Sequence, residues 1–467
     1  MRIRGHDFVA RNEIEQIHEA TVEVLTQVGV KFNHKEALAV FKKHGARIEG
    51  NTVYISENML ENALASVPSH FVLQGRESAK NITVGGEKTV FAPAYGPVYV
   101  LEGKKRRFAT TSDFINFTKL TEVSELLNLV NSNLLEPQDI PHENRKMNQI
   151  INCLKYSTKP LIGMTASRSV AEQTIDLVTD FYGIEKGYCV LGVISPASPL
   201  IYDSTMLEAI FVYGEKHQPL LFSSCSLPGA TSPVSIAGSL VVNNAELLAG
   251  IVLAQLISPG LPVIYGITTP SCDLRYVSPA IGSAETGIIT CATSALSNFY
   301  GMPSRSGGSL SDSKVLDMQA GIESAFTVLP TIIAEINFVL HSCGIMESFN
   351  SISYEKFIID EEVIQMAERF ASGFEINEEL LGVEVIKKCG PGGHFLEKNH
   401  TMKHFRDEHY VPSLFSREGY DAWVKNGLQI LCDKAKVEIE KRLKKYKIPY
   451  LTSKQRKLIS SYIPEDL

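Results

Sequence analysis

The feature that most constrains this chain of 467 residues is a regular alternation of short apolar segments and longer amphipathic ones after Thr111. Each short segment is typical of a buried strand, and each longer one carries apolar residues at helical spacing. Seven such units follow one another at intervals of roughly 30 to 40 residues, as in a (β/α)8 barrel. The strand-like segments are LNLVNSN (127–133), PLIGMTA (160–166), YCVLGVIS (188–195), PLLFSSC (219–225), PVIYGI (262–267), MPSRSGG (302–308) and NFVLHSCG (337–344).

A doubly wound α/β sheet shows the same alternation. The number of units, and the absence of a GxGxxG motif after the first strand, favour the TIM barrel. Its eighth strand is then either unrecognised or lies within 88–101. We expect N-terminal helices and a β-hairpin at 1–110, the barrel core at 111–350, and C-terminal helices with a capping segment at 351–467.

Composition excludes several classes of function. Hydrophobic residues make up 44% of the chain and charged residues 21%, which is ordinary for a globular protein. The net charge of -7 argues against nucleic-acid binding and against electrostatic attraction to a membrane. The longest apolar region, 234–267, is too interrupted to span a membrane. Eight cysteines are scattered without a CxxC motif, so we expect reduced thiols and a cytoplasmic protein.

The C-terminal ends of barrel strands line the active site in this fold. Here those ends are polar but carry no carboxylate, so we expect no metal site, which needs three or four ligands. GxSxG and GxxxxGKS motifs are also absent, so neither a serine nucleophile nor a phosphate loop is expected. The strand-end residues are Asn131, Asn133, Met164, Ser195, Ser223, Ser224, Tyr265, Arg305, His341 and Cys343.

Two strand-end residues and one loop carry recognisable chemistry. Arg305 needs an anionic partner, which is either an internal acid or a substrate carboxylate. His341 is either a hydrogen-bonded core residue or a functional one. FAPAYGPVYV (91–100) is either a hairpin tip with surface tyrosines or one wall of an aromatic cage for an organic cation.

The stretch from 389 to 423 contains four histidines, His394, His400, His404 and His409. His400 and His404 are spaced to share a helical face, but no further ligands accompany them. We interpret Gly390–Gly393 as a tight turn that returns His394 and Phe395 over the barrel mouth. A purely structural clasp is the alternative.

Taken together, five segments resemble the trimethylamine methyltransferase superfamily of corrinoid-dependent enzymes. They are IEQIHEATVEVLTQVGV, FAPAYGPVYVLEGKKRRFATTSDF, GMPSRSGGSLSDSKVLDMQAGIES, NFVLHSCGIMESFNSISYEKFIIDEE and GPGGHFLEKNHTMKHFRDEHYVPSLFSR. The resemblance implies a TIM barrel that transfers a methyl group to the Co(I) corrinoid (cobamide) of a separate corrinoid protein. This chain itself is then expected to bind no cofactor, and we expect a homo-oligomer.

One departure from the family narrows the substrate. The trimethylamine enzymes carry a pyrrolysine in the loop after the last strand, where this chain has Ile345 and Met346. A quaternary amine already has four bonds to nitrogen and leaves as a neutral tertiary amine, so it needs no such residue. The resemblance therefore implies the non-pyrrolysine glycine betaine branch. Proline betaine, carnitine and γ-butyrobetaine remain alternatives, as does a non-catalytic barrel that binds a quaternary amine or the corrinoid protein.

The implied substrate site is aromatic rather than acidic. Charge on nitrogen fades toward the transition state, so a carboxylate clamp would stabilise the ground state and slow transfer. We expect Tyr95, Tyr99, Phe349 and Tyr354 to hold the cation, and Arg305, His341 or His394 to hold a betaine carboxylate. No catalytic protein residue is expected, because the cobalt is the nucleophile and the protein positions the methyl group.

Overall fold

The computed structural model describes residues 9–462, and at its centre eight parallel strands each precede a helix. The strands are β1 (Val90–Phe91), β2 (Val130–Asn131), β3 (Leu161–Ile162), β4 (Val190–Ile194), β5 (Leu220–Ser224), β6 (Val263–Ile267), β7 (Ser304–Gly307) and β8 (Phe338–Leu340). The helices are α1 (Thr111–Val123), α2 (His142–Tyr156), α3 (Arg168–Tyr182), α4 (Ser204–Glu215), α5 (Ile236–Ile257), α6 (Ala284–Phe299), α7 (Met318–Ile333) and α8 (Tyr354–Ser372).

The eight strands form one parallel sheet in the order β1-β8-β7-β6-β5-β4-β3-β2. Its two ends meet, because Phe91 forms a parallel bridge with Leu127 and its carbonyl accepts a hydrogen bond from Asn128 N–H at 2.8 Å. The predicted TIM barrel is thus confirmed. Its first strand lies within 88–101, and the βα units run from residue 90 to residue 372. Since β1 has two residues and is followed by Pro93 and Pro97, it carries little periodic signal.

Apolar side chains point alternately to the two faces of the barrel wall. One buried set fills the interior, including Leu129, Ile162, Leu191, Ile264 and Phe338. The alternate residues belong to a second buried cluster together with side chains of the surrounding helices, including Val130, Leu161, Val190, Val263 and Val339. Burial on both faces explains the continuous apolar runs of the strands.

Helix α5 is the one helix among the described residues that is long and apolar enough to cross a membrane. Within its apolar window, 78% is buried inside the protein. It packs between the barrel strands and the N-terminal helices Arg11–Glu23 and Glu57–Ser66. Its apolar character therefore belongs to a core helix.

The N-terminal region contains helices, a small sheet and a hairpin. Further helices span Lys35–Lys43 and, as a π-turn, Val24–Val28, with a 3-10 turn at Ser78–Lys80. Strands Val30–Phe32, Arg47–Glu49 and Thr52–Tyr54 form a sheet that Ile201–Tyr202 extends. Phe71–Leu73 pairs with Ile82–Val84 as a hairpin.

Gly85-Gly86 separates two strand-like segments, a pattern typical of a hairpin turn, but these segments do not pair with each other. The segment before these glycines pairs backwards with 71–73, and the segment after them enters the barrel as β1. Gly85 has a φ of 90°, and a Cβ there would meet the Ser69 carbonyl oxygen at 2.4 Å. The glycine therefore serves a close crossing of chains rather than a turn between partners.

A second small sheet lies beside the barrel mouth. The hairpin Tyr99–Glu102 with Lys105–Phe108 pairs with Ser351–Ile352, which in turn pairs with Ile345–Met346. A separate hairpin, Ser271–Asp273 with Ser278–Ala280, follows β6. Both hairpins follow strand ends, so they surround the site.

After α8 the chain continues through short helices before it returns to the barrel. These are Glu378–Leu381, Val383–Cys389, Asn399–Glu408 and Tyr420–Lys425, followed by the longer Leu431–Lys445 and Ser453–Ser460. Leu431–Lys445 packs on α8 and α1. The region after α8 is thus helical in much of the described part of the chain, which ends at residue 462.

Candidate active site

Arg305 is the second residue of β7, and its side chain is 3% exposed. Its Nε and Nη1 have no hydrogen-bond partner among the described residues. Burial lowers the pKa of its guanidinium to about 9. A buried, unpaired cation costs several kcal/mol, so an anion in contact with Arg305 would be strongly favoured there.

His341 follows β8 and is almost as buried as Arg305. Its Nδ1 accepts a hydrogen bond from Tyr95 N–H at 3.3 Å, which leaves the ring proton of the neutral imidazole on Nε2. Burial, and secondly the charge of Arg305, lower its pKa well below the ordinary value. His341 is therefore neutral at pH 7, and its Nε2–H is not used by the bond to Tyr95.

The loop after β8 brings Phe349 onto the His341 ring, with centroids 4.7 Å apart. Glu347, Ser348 and Phe349 have φ values of 51°, 51° and 73°, a run of left-handed residues that side chains disfavour. The loop is anchored on both sides, because Glu347 pairs with Arg106 and Ser348 Oγ donates to Asp312. These anchors hold Phe349 in a backbone conformation that would otherwise relax.

Asp312 precedes α7 in the chain but does not cap that helix. It accepts N–H bonds from Ile281 at 3.0 Å and Gly282 at 2.9 Å, while Asp317 caps α7 through Ala320 N–H. Asp312 ties the loop after β6 to the loop after β8, on opposite sides of Arg305.

Arg305, His341 and Phe349 face one small cavity of about 20 Å³. That is room for about one water molecule, so a betaine enters only if the loop or a side chain moves. No aspartate or glutamate is among the residues that line it. They are Ile267, Thr268, Thr269, Thr286, Ile289, Thr290, Arg305, Ser306, Gly307, Leu310, His341 and Phe349.

Tyr95 lies on the other side of His341, with ring centroids 6.4 Å apart. Its hydroxyl accepts a hydrogen bond from Asn133 Nδ2 at 3.3 Å, and burial raises its pKa to about 12. It is therefore a neutral phenol at any physiological pH. The structure thus brings together four sequence-predicted residues: Tyr95, Arg305, His341 and Phe349.

Tyr99 and Tyr354 have their ring faces occupied elsewhere. The ring of Tyr99 stacks on Phe108 with centroids 5.0 Å apart, and the Arg106 guanidinium covers it at 4.0 Å. Tyr354 stacks on Phe117 at 4.1 Å, and its hydroxyl donates to Asp113 at 3.0 Å. Neither residue lines the cavity.

His394, Ile345 and Met346 are also outside the cavity. His394 is exposed, and its carbonyl accepts a contact from Cys389 Sγ within the same turn. Ile345 and Met346 are fully buried in a short strand, so the cavity-facing residue of this loop is Phe349 instead.

Other strand-end residues turn away from the cavity. Tyr265 and Cys343 lie in the layer between the sheet and the helices. The buried carboxylate of Glu246, behind β5, is engaged by Ser198, Ser224 and the N–H of Leu200, so it is not a partner of Arg305. Among the described residues, no group of three or more His, Cys, Asp or Glu side chains is arranged to hold a metal ion.

Sequence analysis missed the threonines of the cavity. Thr268 follows β6 directly, and its Oγ1 lies 3.2 Å from Ser223 Oγ at the end of β5. Thr290 lies on α6 and shares a hydrogen bond of 2.8 Å with Ser306. Extending each strand end by one residue would have found Thr268, whereas nothing local marks a helix residue such as Thr290.

The chain is similar to known methyltransferases over most of its length. The family model for trimethylamine methyltransferase (MTTB) matches residues 1–465. Glycine betaine methyltransferase of Desulfitobacterium hafniense is 39% identical over 430 residues, covering 91% of this chain and 90% of that protein. Proline betaine:corrinoid methyltransferase of Eubacterium limosum is 36% identical over 475 residues, covering 98% and 97%.

Among solved structures, the hydroxylamine complex of MtmB aligns with a TM-score of 0.54 and 13% identity, covering 93% of this chain and 88% of that one. At this identity the likeness concerns the fold alone. The sequence relatives extend over almost the whole chain and include both betaine and trimethylamine enzymes. On this evidence, the chain belongs to the trimethylamine methyltransferase (MTTB) family.

Proposed function

We propose that this protein moves a methyl group from a betaine, with glycine betaine as the first candidate, to the Co(I) corrinoid of a separate corrinoid protein in the cytoplasm. The names of its relatives support this assignment, since they include glycine betaine, proline betaine and L-carnitine methyltransferases. The last two are named as corrinoid methyltransferases. Proline betaine and carnitine therefore belong among the substrates to test.

The single observation that carries the proposal is the unpaired guanidinium of Arg305. It is buried, its Nε and Nη1 lack partners, and it borders a cavity without an acid. A betaine carboxylate would complete a charge-assisted pair, which is stronger than a neutral hydrogen bond. Trimethylamine has no carboxylate to offer, so Arg305 favours a zwitterionic substrate.

The cationic end of the substrate would meet ring faces instead of charges. Phe349 and His341 lie together at the cavity, and Tyr95 adjoins His341. Ring faces attract a quaternary ammonium group by about 1 to 2 kcal/mol when water is excluded. Because that attraction is modest, little ground-state stabilisation is lost as the nitrogen becomes neutral.

The residues of this chain would bind and orient the substrate, while the partner's corrinoid supplies the methyl acceptor. His341, neutral and carrying its proton on Nε2, is suited to donate to the second carboxylate oxygen. With the carboxylate held at the strand ends, the methyl groups would face the open mouth. Positioning of this kind contributes most where no protein nucleophile takes part.

The test uses purified protein, reduced corrinoid (a corrinoid protein or free cobalamin) and a panel of glycine betaine, proline betaine, carnitine, γ-butyrobetaine and trimethylamine. Methylation of the corrinoid is followed by its visible spectrum. Turnover with one betaine and none with trimethylamine is expected. If calorimetry shows that a betaine binds but no corrinoid is methylated, the protein is a non-catalytic binding barrel and the proposed activity is wrong.

The role of Arg305 is tested by Arg305→Ala and Arg305→Lys in the same assay. Loss of a charge-assisted pair predicts a KM for the betaine at least about tenfold higher, with partial recovery in the lysine variant. Arg47→Ala, at the surface of the N-terminal sheet, is the control and should leave KM unchanged. Unchanged betaine affinity in Arg305→Ala would remove the carboxylate role.

A further inference from the structure

Cys225 directly follows β5 and is exposed to solvent at the barrel mouth. Leu221, four residues earlier, belongs to the cluster that fills the barrel interior. Because successive side chains of a strand point to opposite faces, Ser223 and Cys225 point to the same side as Leu221. Cys225 therefore faces the axis of the barrel at its open end.

The thiol of Cys225 lies beside the cavity of Arg305. Its Sγ is 3.6 Å from the carbonyl oxygen of Thr268, which lines that cavity. The barrel wall surrounds the thiol, and this desolvation raises its pKa, while the charge of Arg305 acts in the opposite direction. The two side chains are therefore close enough to interact. Since the thiol is neutral at pH 7, it offers Arg305 no charge, and the guanidinium stays available to an anionic ligand.

The mouth is open on the side of β3, β4 and β5. The loops that follow these three strands carry the small, exposed residues Ala166, Ser195 and Cys225. On the side of β8, which lies opposite β4 in the ring of strands, Phe349 covers His341. A substrate that reaches the cavity from the open side therefore passes Cys225, the largest of the three small side chains.

We propose that Cys225 contacts the bound betaine and limits the size of the ammonium group that the site accepts, an inference that rests on the proposed function. The ligand is indicated by the buried, unpaired guanidinium of Arg305, and the thiol shapes the space beside it. In glycine betaine one methylene group separates the carboxylate from the nitrogen. With the carboxylate on Arg305, the ammonium group lies between the rings of Phe349 and His341 and the thiol of Cys225.

Chemical labelling of the wild-type protein tests the position of the thiol without turnover. Iodoacetate carries a carboxylate next to its reactive carbon, so Arg305 should direct it to Cys225, whereas neutral iodoacetamide has no such guidance. In both reactions the thiol first loses its proton to the buffer. The thiolate then supplies the electron pair of the new S–C bond, and the carbon–iodine bond breaks to release iodide.

The labelling is carried out at about pH 8.5, near the ordinary pKa of a thiol, and is measured by peptide mass spectrometry. Cys389, half-buried on the helix Val383–Cys389 and outside the cavity, is the reference. The ratio of iodoacetate to iodoacetamide labelling should be at least about tenfold higher at Cys225, because a cleft of opposite charge concentrates an anion. Arg305→Ala should remove this preference.

Protection by substrates completes the labelling test. At least one of glycine betaine, proline betaine, carnitine and γ-butyrobetaine should protect Cys225, whereas trimethylamine, which has no carboxylate, should not. Equal labelling ratios at Cys225 and Cys389, or no protection by any betaine, would overturn the proposal. Protection without corrinoid methylation would support the contact and remove the proposed activity. Methylation without protection would support the activity and overturn the contact.

Substitutions at residue 225 test the effect on substrate choice. Cys225→Leu adds bulk on the open side, so the KM for proline betaine relative to glycine betaine should rise about tenfold or more. For a betaine that binds without turnover, Kd replaces KM. Cys225→Ser, of similar size, and Cys389→Leu, the matched control, should keep the wild-type ratio. Denaturant unfolding should be unchanged, because residue 225 is exposed. An unchanged ratio in Cys225→Leu would contradict the proposal.

Discussion

The side chain of Arg305 lies directly against the backbone of Gly266 on the neighbouring strand. The two residues are register partners in β7 and β6, and a Cβ on residue 266 would come within 2.8 Å of Arg305 Cδ. Gly266 therefore provides the space that the arginine stem occupies on its way to the cavity. The burial of the unpaired guanidinium depends on a missing side chain one strand away.

Gly266→Ala is expected to displace Arg305 and to raise the KM for the preferred betaine by about ten- to a hundredfold, because a shift of about 1 Å in a positioned group costs up to about 10²-fold. Overpacking also lowers the free energy of unfolding by about 1 to 3 kcal/mol. Steady-state kinetics and denaturant unfolding measure the two effects. Gly321→Ala is the control, since nothing lies within 4 Å of a Cβ at that helical position. Equal KM values in both variants would contradict the Arg305 geometry.

His341 predicts a loss of stability in mild acid. Its pKa is lowered in the folded protein by burial and by Arg305, whereas in the unfolded chain it is near the ordinary value of about 6.5. As pH falls below about 6.5, His341 binds a proton in the unfolded chain but stays neutral in the folded protein. The unfolding free energy then falls by up to about 1.4 kcal/mol per pH unit.

Denaturant unfolding of the wild type and of His341→Gln between pH 7 and about pH 5 checks this. The variant should show the shallower dependence on pH. His394→Gln, at an exposed residue outside the cavity, is the control substitution. Identical slopes in wild type and His341→Gln would show that His341 is not held neutral.

Phe349→Ala is expected to change which betaine is preferred. Removing the ring that lies on His341 takes away a face for the ammonium group, so KM for glycine betaine should rise about tenfold. The space that the ring leaves enlarges the small cavity. The KM for proline betaine, whose own ring needs more room, should therefore rise less than that for glycine betaine, or fall. Phe108→Ala, whose ring stacks on Tyr99, should leave the ratio of the two substrates unchanged.

Tyr354→Phe tests whether this residue is structural. Its hydroxyl donates to Asp113, which also holds Arg107 at 2.7 and 2.9 Å. Losing that bond to a charged acceptor should lower the unfolding free energy by about 1.5 to 3 kcal/mol. Because Tyr354 does not line the cavity, KM should stay at the wild-type value. A raised KM with an unchanged free energy of unfolding would instead indicate that Tyr354 contacts the substrate.

The architecture was largely predictable from local pattern. Strands buried on both faces produce continuous apolar runs, and these located β2 to β8 within a few residues, whereas two-residue β1 was bracketed only to 88–101. The rule that strand ends line the site was enough to select Arg305 and His341. His341 interrupts an apolar run, and Arg305 is a charged residue among small polar ones; both are features of the chain itself.

Contacts between distant segments were not predictable in the same way. The bond from Tyr95 N–H to His341 joins residues 246 positions apart, and Thr290 reaches the cavity from a helix. Tyr99 and Tyr354 are aromatic residues of the kind that binds an organic cation, but the rings of Phe108 and Phe117 already stack on them. The segment that carries His394 and Phe395, which were expected over the barrel mouth, begins at the other end of the barrel, because α8 runs antiparallel to the strands.

Periodicity and residue type were thus sufficient to predict the barrel and the residue types at its mouth. Both features are set by the burial of side chains along a single segment of the chain. Which polar side chains share a cavity depends on strand register, on where a side chain is missing, as at Gly266, and on which surfaces are already occupied. Those quantities arise only when the eight strands close on one another, and they place Tyr95, Arg305, His341 and Phe349 around one site.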